Sequence, residues 1–247
     1  MRGNVSQQAN PILDPIALNA RLELLHPNRI LEWAWATFSP HIRATSSFQT
    51  QSLPLLHMIS RVTPEMTVIF LDTGFHFNET LLFRDQLVGE LGLLVEDVLP
   101  GPEYGGSRRQ RSELHRTDPD MCCYLNKVEP LQRAKTGLSA WVTGIRRDQT
   151  PARREAPIVS LDKDGRYKIC PLANWTDREV WQYINKHDLP VHPLLAQGYM
   201  SIGCAPCTRP VSADEDYRAG RWADRQKTEC GLHDHAARTT VVKQAAS

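Results

Sequence analysis

Residues 66–71 read MTVIFL, a continuous apolar run preceded by Pro64 and stopped by Asp72-Thr73-Gly74. A short run without polar alternation is buried on both faces, which is the pattern of a parallel strand that ends in a loop. Residues 79–91 then have helical character, residues 94–98 read as another short strand, and residues 140–143 as a third. Strands alternating with helices predict the α/β class, an open and mostly parallel sheet flanked by helices, with ligands bound beyond the strands' C-terminal ends.

The other segments fit around that sheet. Between residues 13 and 38, Ile16, Leu18, Leu22, Leu25, Ile30 and Trp33 recur at helical spacing, with Pro27 marking a break, so a helical hairpin packed on the core is expected. Residues 44–60 begin small and polar and then turn apolar. Thr176-Asp-Arg-Glu179 has capping-box spacing and opens a helix that runs to about His187, before Pro190. The 247 residues divide into an N-terminal helical segment (1–38), a nucleotide-binding α/β domain (39–211) and a charged, glycine-punctuated arm (212–247) read as mobile.

Lys and Arg number 29 against 28 Asp and Glu, a balance that gives no support to nucleic-acid wrapping or to membrane-surface binding. No apolar stretch approaches the roughly 18 residues of a spanning helix, and the first residues lack the apolar run of a secretory signal. A soluble, cytoplasmic protein is expected. Assembly into a homo-oligomer is left open.

Six cysteines without a secretory signal argue for metal binding or thiol chemistry rather than a disulfide scaffold. Cys122 and Cys123, with Cys204 and Cys207 some eighty residues on, supply four thiolates, enough to close a tetrahedral zinc site or a 4Fe-4S cube. Adjacent cysteines suit two corners of a bulky cluster better than two vertices around one zinc ion; buried free thiols are the plain alternative. Lys127, four residues after Cys123, returns to the same face if the stretch is helical. Cys230 stands apart beside Gly231, with Lys227, His233, Arg218 and Arg221 near in sequence. It is either a reactive thiol in an electropositive setting or an incidental exposed one. Cys170 has no partner pattern and reads as a core residue at a strand end.

For an anion, residues 46–52 (SSFQTQS) offer hydroxyls and amides before an apolar segment, although such residues also make ordinary caps. The Asp72-Thr73-Gly74 turn and Glu79-Thr80 could hold a ribose or base, or form a plain strand-to-helix connection. Arg108, Arg109 and Arg111 lie in a glycine-rich loop, and Arg146, Arg147, Arg153 and Arg154 follow the third strand. Guanidinium groups match sulfate and phosphate oxygens, though most loop arginines are merely solvated.

Together these motifs resemble the adenylyl-sulfate reductases of assimilatory sulfate reduction, within the adenine-nucleotide alpha-hydrolase-like group, over residues 30–235. The resemblance rests on Asp118-Pro-Asp-Met-Cys-Cys123 with Lys127-Val-Glu-Pro-Leu131, on Ser201-Ile-Gly-Cys-Ala-Pro-Cys-Thr-Arg-Pro210, and on Glu229-Cys-Gly-Leu-His233, in that order. Looser pieces are Phe70-Leu-Asp-Thr-Gly74 and residues 141–149. The resemblance implies a 4Fe-4S cluster on Cys122, Cys123, Cys204 and Cys207 that passes no electrons to substrate, with Lys127 between cluster and substrate. It makes Cys230 the nucleophile, places Arg154, Arg218, Arg221 and His233 around the phosphosulfate and the thiol, and lines the nucleotide site with Ser47, Leu71, Asp72, Thr73 and Gly74. The implied reaction reduces adenosine 5'-phosphosulfate to sulfite and AMP through a Cys230 S-sulfonate, with thioredoxin as the dithiol reductant, for cysteine biosynthesis.

The serine-rich 46–52 loop departs from the more acidic loop common in cluster-bearing members and has the flavour of enzymes that take 3'-phosphoadenosine 5'-phosphosulfate. Reduction of that nucleotide is the nearest alternative. A nucleotide-dependent sulfurtransferase would want a Ser-Gly-Gly loop where residues 46–52 contain no glycine, and an iron-sulfur redox sensor would have no need of Cys230.

Overall fold

The computed structural model describes residues 13–101, 108–162, 164–223, 225 and 227–232, the side chains of 108–112 excepted. Helix α1 (Pro15–Leu22) is capped by the Asp14 carboxylate, which accepts from the Ile16 amide at 2.9 Å. Helix α2 (Pro27–Phe38) begins at Pro27, so the residue expected to break the segment opens the second helix, where a missing N–H costs nothing. Strand β1 (Ile42–Thr45) leads through a 3₁₀ turn (Thr50–Ser52) into α3 (Leu53–Val62). Then come β2 (Val68–Leu71), α4 (Asn78–Leu91), β3 (Val95–Val98), α5 (Arg108–Thr117) and α6 (Pro119–Cys123). A π turn (Tyr124–Val128) joins α6 to α7 (Glu129–Ala134); β4 (Ala140–Thr143), β5 (Val159–Leu161), β6 (Tyr167–Ile169) and α8 (Asp177–Lys186) complete the set. The capping box of α8 is present, with the Thr176 amide donating to Glu179 Oε2 at 2.7 Å.

The six strands lie in the order β3-β2-β1-β4-β6-β5, all parallel except β5, which pairs antiparallel with β6. The expected mostly parallel α/β sheet is therefore the fold. Along β2, Val68 and Phe70 enter the main core while Ile69 joins a smaller core with Val98, Leu131 and Trp141. Both faces are buried, which is why the run is apolar throughout. Helices α1, α2, α3, α4 and α8 supply the main core. Cys170 follows β6 directly and is buried there, where it was expected.

Strands β1, β5 and β6 escape the sequence reading. Each is three or four residues long with polar residues inside, IRAT, VSL and YKI, so no period stands out. The Arg108 run opens α5 rather than lying in a loop, because the residues after Gly106 are good helix formers without a breaker. No helix among the described residues is long and apolar enough to cross a membrane.

The chain leaves β1 outward to β2 and β3, then returns to the other side as β4. The loops after β1 and β4 consequently diverge and leave a crevice at the strands' C-terminal ends, the place where open α/β sheets bind ligands.

Candidate active site

That crevice is a cleft whose near wall is the loop after β1 and whose far wall is the segment after β4. On the near wall Ser46 Oγ accepts from the Phe48 amide at 3.0 Å, and Phe48 adopts φ 53° with its ring fully buried edge-on to Phe70. A positive φ is unfavourable for a bulky residue and persists because burial over-determines it. This turn leaves Ser47 on the cleft. Gln49 Oε1 accepts from the Ile202 amide at 3.0 Å and Thr50 Oγ1 from the His192 amide at 3.2 Å, tying the loop to two distant points of the chain.

Of the strand-end residues assigned to the nucleotide, Leu71 lines the cleft but Asp72, Thr73 and Gly74 do not. Asp72 accepts from the Gly74 amide at 2.9 Å in a local turn. Thr73 turns inward, its Oγ1 3.4 Å from Cys204 Sγ.

Four of the thiols gather beside the end of β2. Asp118 caps α6 through the Met121 amide at 2.9 Å and so sets the turn that carries Cys122 and Cys123, both buried. The π turn that follows gives Lys127 a spacing wider than α-helical, and Lys127 faces the cleft together with Cys204. Asn126, overlooked in the sequence, is buried beneath them; its Nδ2 donates to the Cys122 carbonyl at 2.8 Å and lies 3.7 Å from Cys122 Sγ. Burial, reinforced by Cys123, Cys204 and Cys207, pushes the Cys122 thiol up to about 12. Burial also pushes Cys204 up, but Lys127, the Thr73 hydroxyl and Arg221 outweigh it and hold this thiol below its ordinary value. Burial would strip the Lys127 proton, yet the neighbouring sulfurs of Cys204, Cys230 and Cys123 outweigh it and raise its pKa. All six cysteines are unpaired, and among the described residues no three His, Cys, Asp or Glu converge on a point suited to a single metal ion.

The described part of the expected arm folds back over the cleft. Tyr217, Arg218, Arg221, Trp222, Glu229 and Cys230 all line it. Arg221 Nη1 donates to the Ile202 carbonyl at 3.0 Å, and its guanidinium lies against Gly203 so closely that a Cβ there would collide with it. Burial, and next Arg218, lower the Arg221 pKa, and Nε has no partner. One assignment is corrected: Arg154 is exposed and off the cleft, while its neighbour Arg153 lines it. The 3₁₀ turn Pro151–Arg153 decides which of the two adjacent guanidiniums faces inward. His233 lies outside the described residues, as do the side chains of Arg108, Arg109 and Arg111.

Lys127, Arg153, Arg218 and Arg221 thus surround one cleft against a single carboxylate, Glu229, among the described residues. Such a cleft suits an anionic ligand, and its place in the sheet suits a nucleotide. Fold and site define an α/β protein with a thiol in a cation-lined cleft at the strands' C-terminal ends. The phosphoadenosine phosphosulfate reductase domain model matches residues 41–210. A protein of Streptomyces coelicolor named adenosine 5'-phosphosulfate reductase is 44% identical over 212 residues, 83% of this chain and 86% of that one. The crystal structure of a phosphoadenylyl-sulfate reductase from Candida auris superposes with a TM-score of 0.67 at 32% identity, covering 78% of this chain and 94% of that one. The FMN adenylyltransferase of Candida glabrata shares the fold alone, with a TM-score of 0.55 at 15% identity over 90% of this chain and 77% of that one. The chain belongs to the family of adenylyl-sulfate and phosphoadenylyl-sulfate reductases, and is an oxidoreductase.

Proposed function

We propose that the protein reduces adenosine 5'-phosphosulfate to sulfite and AMP, with Cys230 as nucleophile. The observation that carries this reading is that Cys230 opens onto the same cleft as Lys127, Arg153, Arg218 and Arg221. The Cys230 thiolate attacks the sulfate sulfur, the bond to the phosphate oxygen breaks, and AMP leaves while the cations offset its charge. A dithiol reductant, thioredoxin in this reading, then attacks Cys230 Sγ and releases sulfite. The arm moves between the two events, and the setting is a reducing cytoplasm, in keeping with six unpaired cysteines.

The donor set also fits an iron-sulfur cluster. Cys122, Cys123, Cys204 and Cys207 lie close enough to shift one another's ionisation, and burial raises Cys122, Cys123 and Cys207, so that a free thiolate there is unfavourable without a cation to bind. A 4Fe-4S cluster on these four, when bound, supplies a fixed local charge next to Lys127. Lys127 itself holds its proton and points a positive charge into the cleft.

A second reading, with 3'-phosphoadenosine 5'-phosphosulfate as substrate, draws support from the serine-rich loop on the near wall and from the name of the Candida auris relative. The deciding experiment is sulfite release by anaerobically purified protein, supplied with thioredoxin and either nucleotide, beside its Cys230→Ser variant. The faster nucleotide names the substrate. Wild-type protein that reduces neither overturns the proposal.

A further inference from the structure

Cys230 sits in a turn held by two anchors of opposite kind. After it, Gly231 adopts φ 83° and Leu232 packs on the small core of Ile69, Val98, Leu131 and Trp141. Before it, the Glu229 carboxylate, 14% exposed, accepts from Arg153 Nε at 2.9 Å and Nη2 at 2.6 Å, a bidentate pair, and from Thr150 Oγ1 at 2.9 Å. Arg218 lies 3.9 Å from the same carboxylate and donates to the Thr228 carbonyl at 2.9 Å. Burial favours the neutral acid, but Arg153 and Arg218 overcome it and keep Glu229 below the usual carboxylate range, so this contact stays ionic near neutrality.

We propose that Glu229 is a positioning residue, a latch that holds Cys230 Sγ over the cleft for attack and has to open before the reductant reaches that sulfur. The inference rests on the reductase reading above. In the first half-reaction Cys230 Sγ bonds to the sulfate sulfur while the S–O bond to AMP breaks and AMP keeps the electron pair. In the second, one thiolate of a dithiol bonds to Cys230 Sγ, sulfite departs with the electron pair of the broken S–S bond, and the second thiol closes the reductant's disulfide and frees Cys230. The first step needs the turn closed and the second needs it accessible. A latch therefore acts on the two steps with opposite sign, whereas loss of mere structural support slows both.

The test uses the full chain, purified anaerobically, as wild type, Glu229→Gln and Thr150→Val. S-sulfonated Cys230 is followed by mass after one turnover without reductant; the isolated adduct is then mixed with dithiothreitol and sulfite release is timed. Alkylation of Cys230 by iodoacetamide is measured separately on nucleotide-free protein by peptide mapping. Losing the charged contact in Glu229→Gln should slow adduct formation about tenfold, leave sulfite release as fast or faster, and speed alkylation about tenfold. Thr150→Val, which gives up one neutral donor, should move each reading the same way by less, and it carries the test should Glu229→Gln not fold. Wild-type rates of adduct formation and alkylation in Glu229→Gln, or equal slowing of both half-reactions, overturn the latch. A wild-type protein that forms no adduct overturns the reductase reading instead, and the alkylation comparison still decides the latch.

Discussion

Two stretches of chain close the cleft, and they are held by different forces. The loop after β1 is seated by Phe48, fully buried against Phe70, by the Phe48 amide donating to Ser46 Oγ, and by Thr50 Oγ1, which accepts from the buried His192 amide. Residues 212–232 lie over the same cleft with two main apolar anchors among the described residues, Trp222 and Leu232. Their other ties are polar: backbone bonds of Gly220 and Trp222 to Arg209 and Cys207, and the ion pairs of Arg209 with Glu215, Arg153 with Glu229, and Lys227 with Asp120 on the helix that carries Cys122 and Cys123. Apolar burial is released only when the core opens, whereas rim ion pairs break singly and are screened by salt. On the proposed function, one side is a preformed seat for the nucleotide, and the other a part able to let go without unfolding the sheet.

The comparison breaks most visibly at Cys230. Cys230→Ser should abolish sulfite release by at least about 10³-fold while leaving the melting temperature unchanged, since only the chemistry is lost. Phe48→Ala should do the reverse in kind, lowering unfolding free energy by about 3–5 kcal/mol in urea titrations. A loss of less than about 1 kcal/mol would mean that the near wall is not anchored by the core.

The anchored side also predicts a pH response. His192, fully buried, accepts from the Leu194 amide at Nδ1 (3.2 Å) and lies 3.0 Å from Thr80 Oγ1 at Nε2, an arrangement of the neutral ring. Burial depresses its pKa to about 4, with His57 and His76 shifted in the same direction. The unfolded chain takes up the proton first as pH falls below the ordinary histidine value. Stability should therefore be intact above about pH 6.5 and decline by at most about 1.4 kcal/mol per pH unit toward pH 4 for His192 alone, with a shallower slope in His192→Gln.

Smaller effects test the polar side. Gly203→Ala forces the Arg221 guanidinium off its backbone seat and should weaken nucleotide binding about tenfold by titration calorimetry, with little change in melting temperature. Raising salt to about 0.5 M should speed limited proteolysis within residues 212–232 a few-fold and leave the melting temperature nearly constant. Equal protection at both salt concentrations would remove the distinction between the two walls.

What the sequence by itself determined is what local pattern encodes. The apolar run of β2, the proline that opens α2 and the capping box of α8 each state their structure within a few residues, because strand burial, a fixed φ and an N-cap are local physics. The cysteine pairs and the Glu229-Cys-Gly-Leu-His233 motif likewise raise the expectation of thiol chemistry from sequence alone. Tertiary structure alone decided the rest. Strand β1 is recognisable only by its neighbours, since Ile42–Thr45 is extended because β2 and β4 pair with it on both sides. Arg153 and Arg154 are chemically identical neighbours, and a single 3₁₀ turn chooses between them. Glu229 and Arg153 stand 76 residues apart, and their pairing exists only once the chain after β4 and the C-terminal segment meet over the crevice that the strand order creates. Short-range patterns fix short-range geometry, while the convergence of charges on one cleft is a property of the folded sheet.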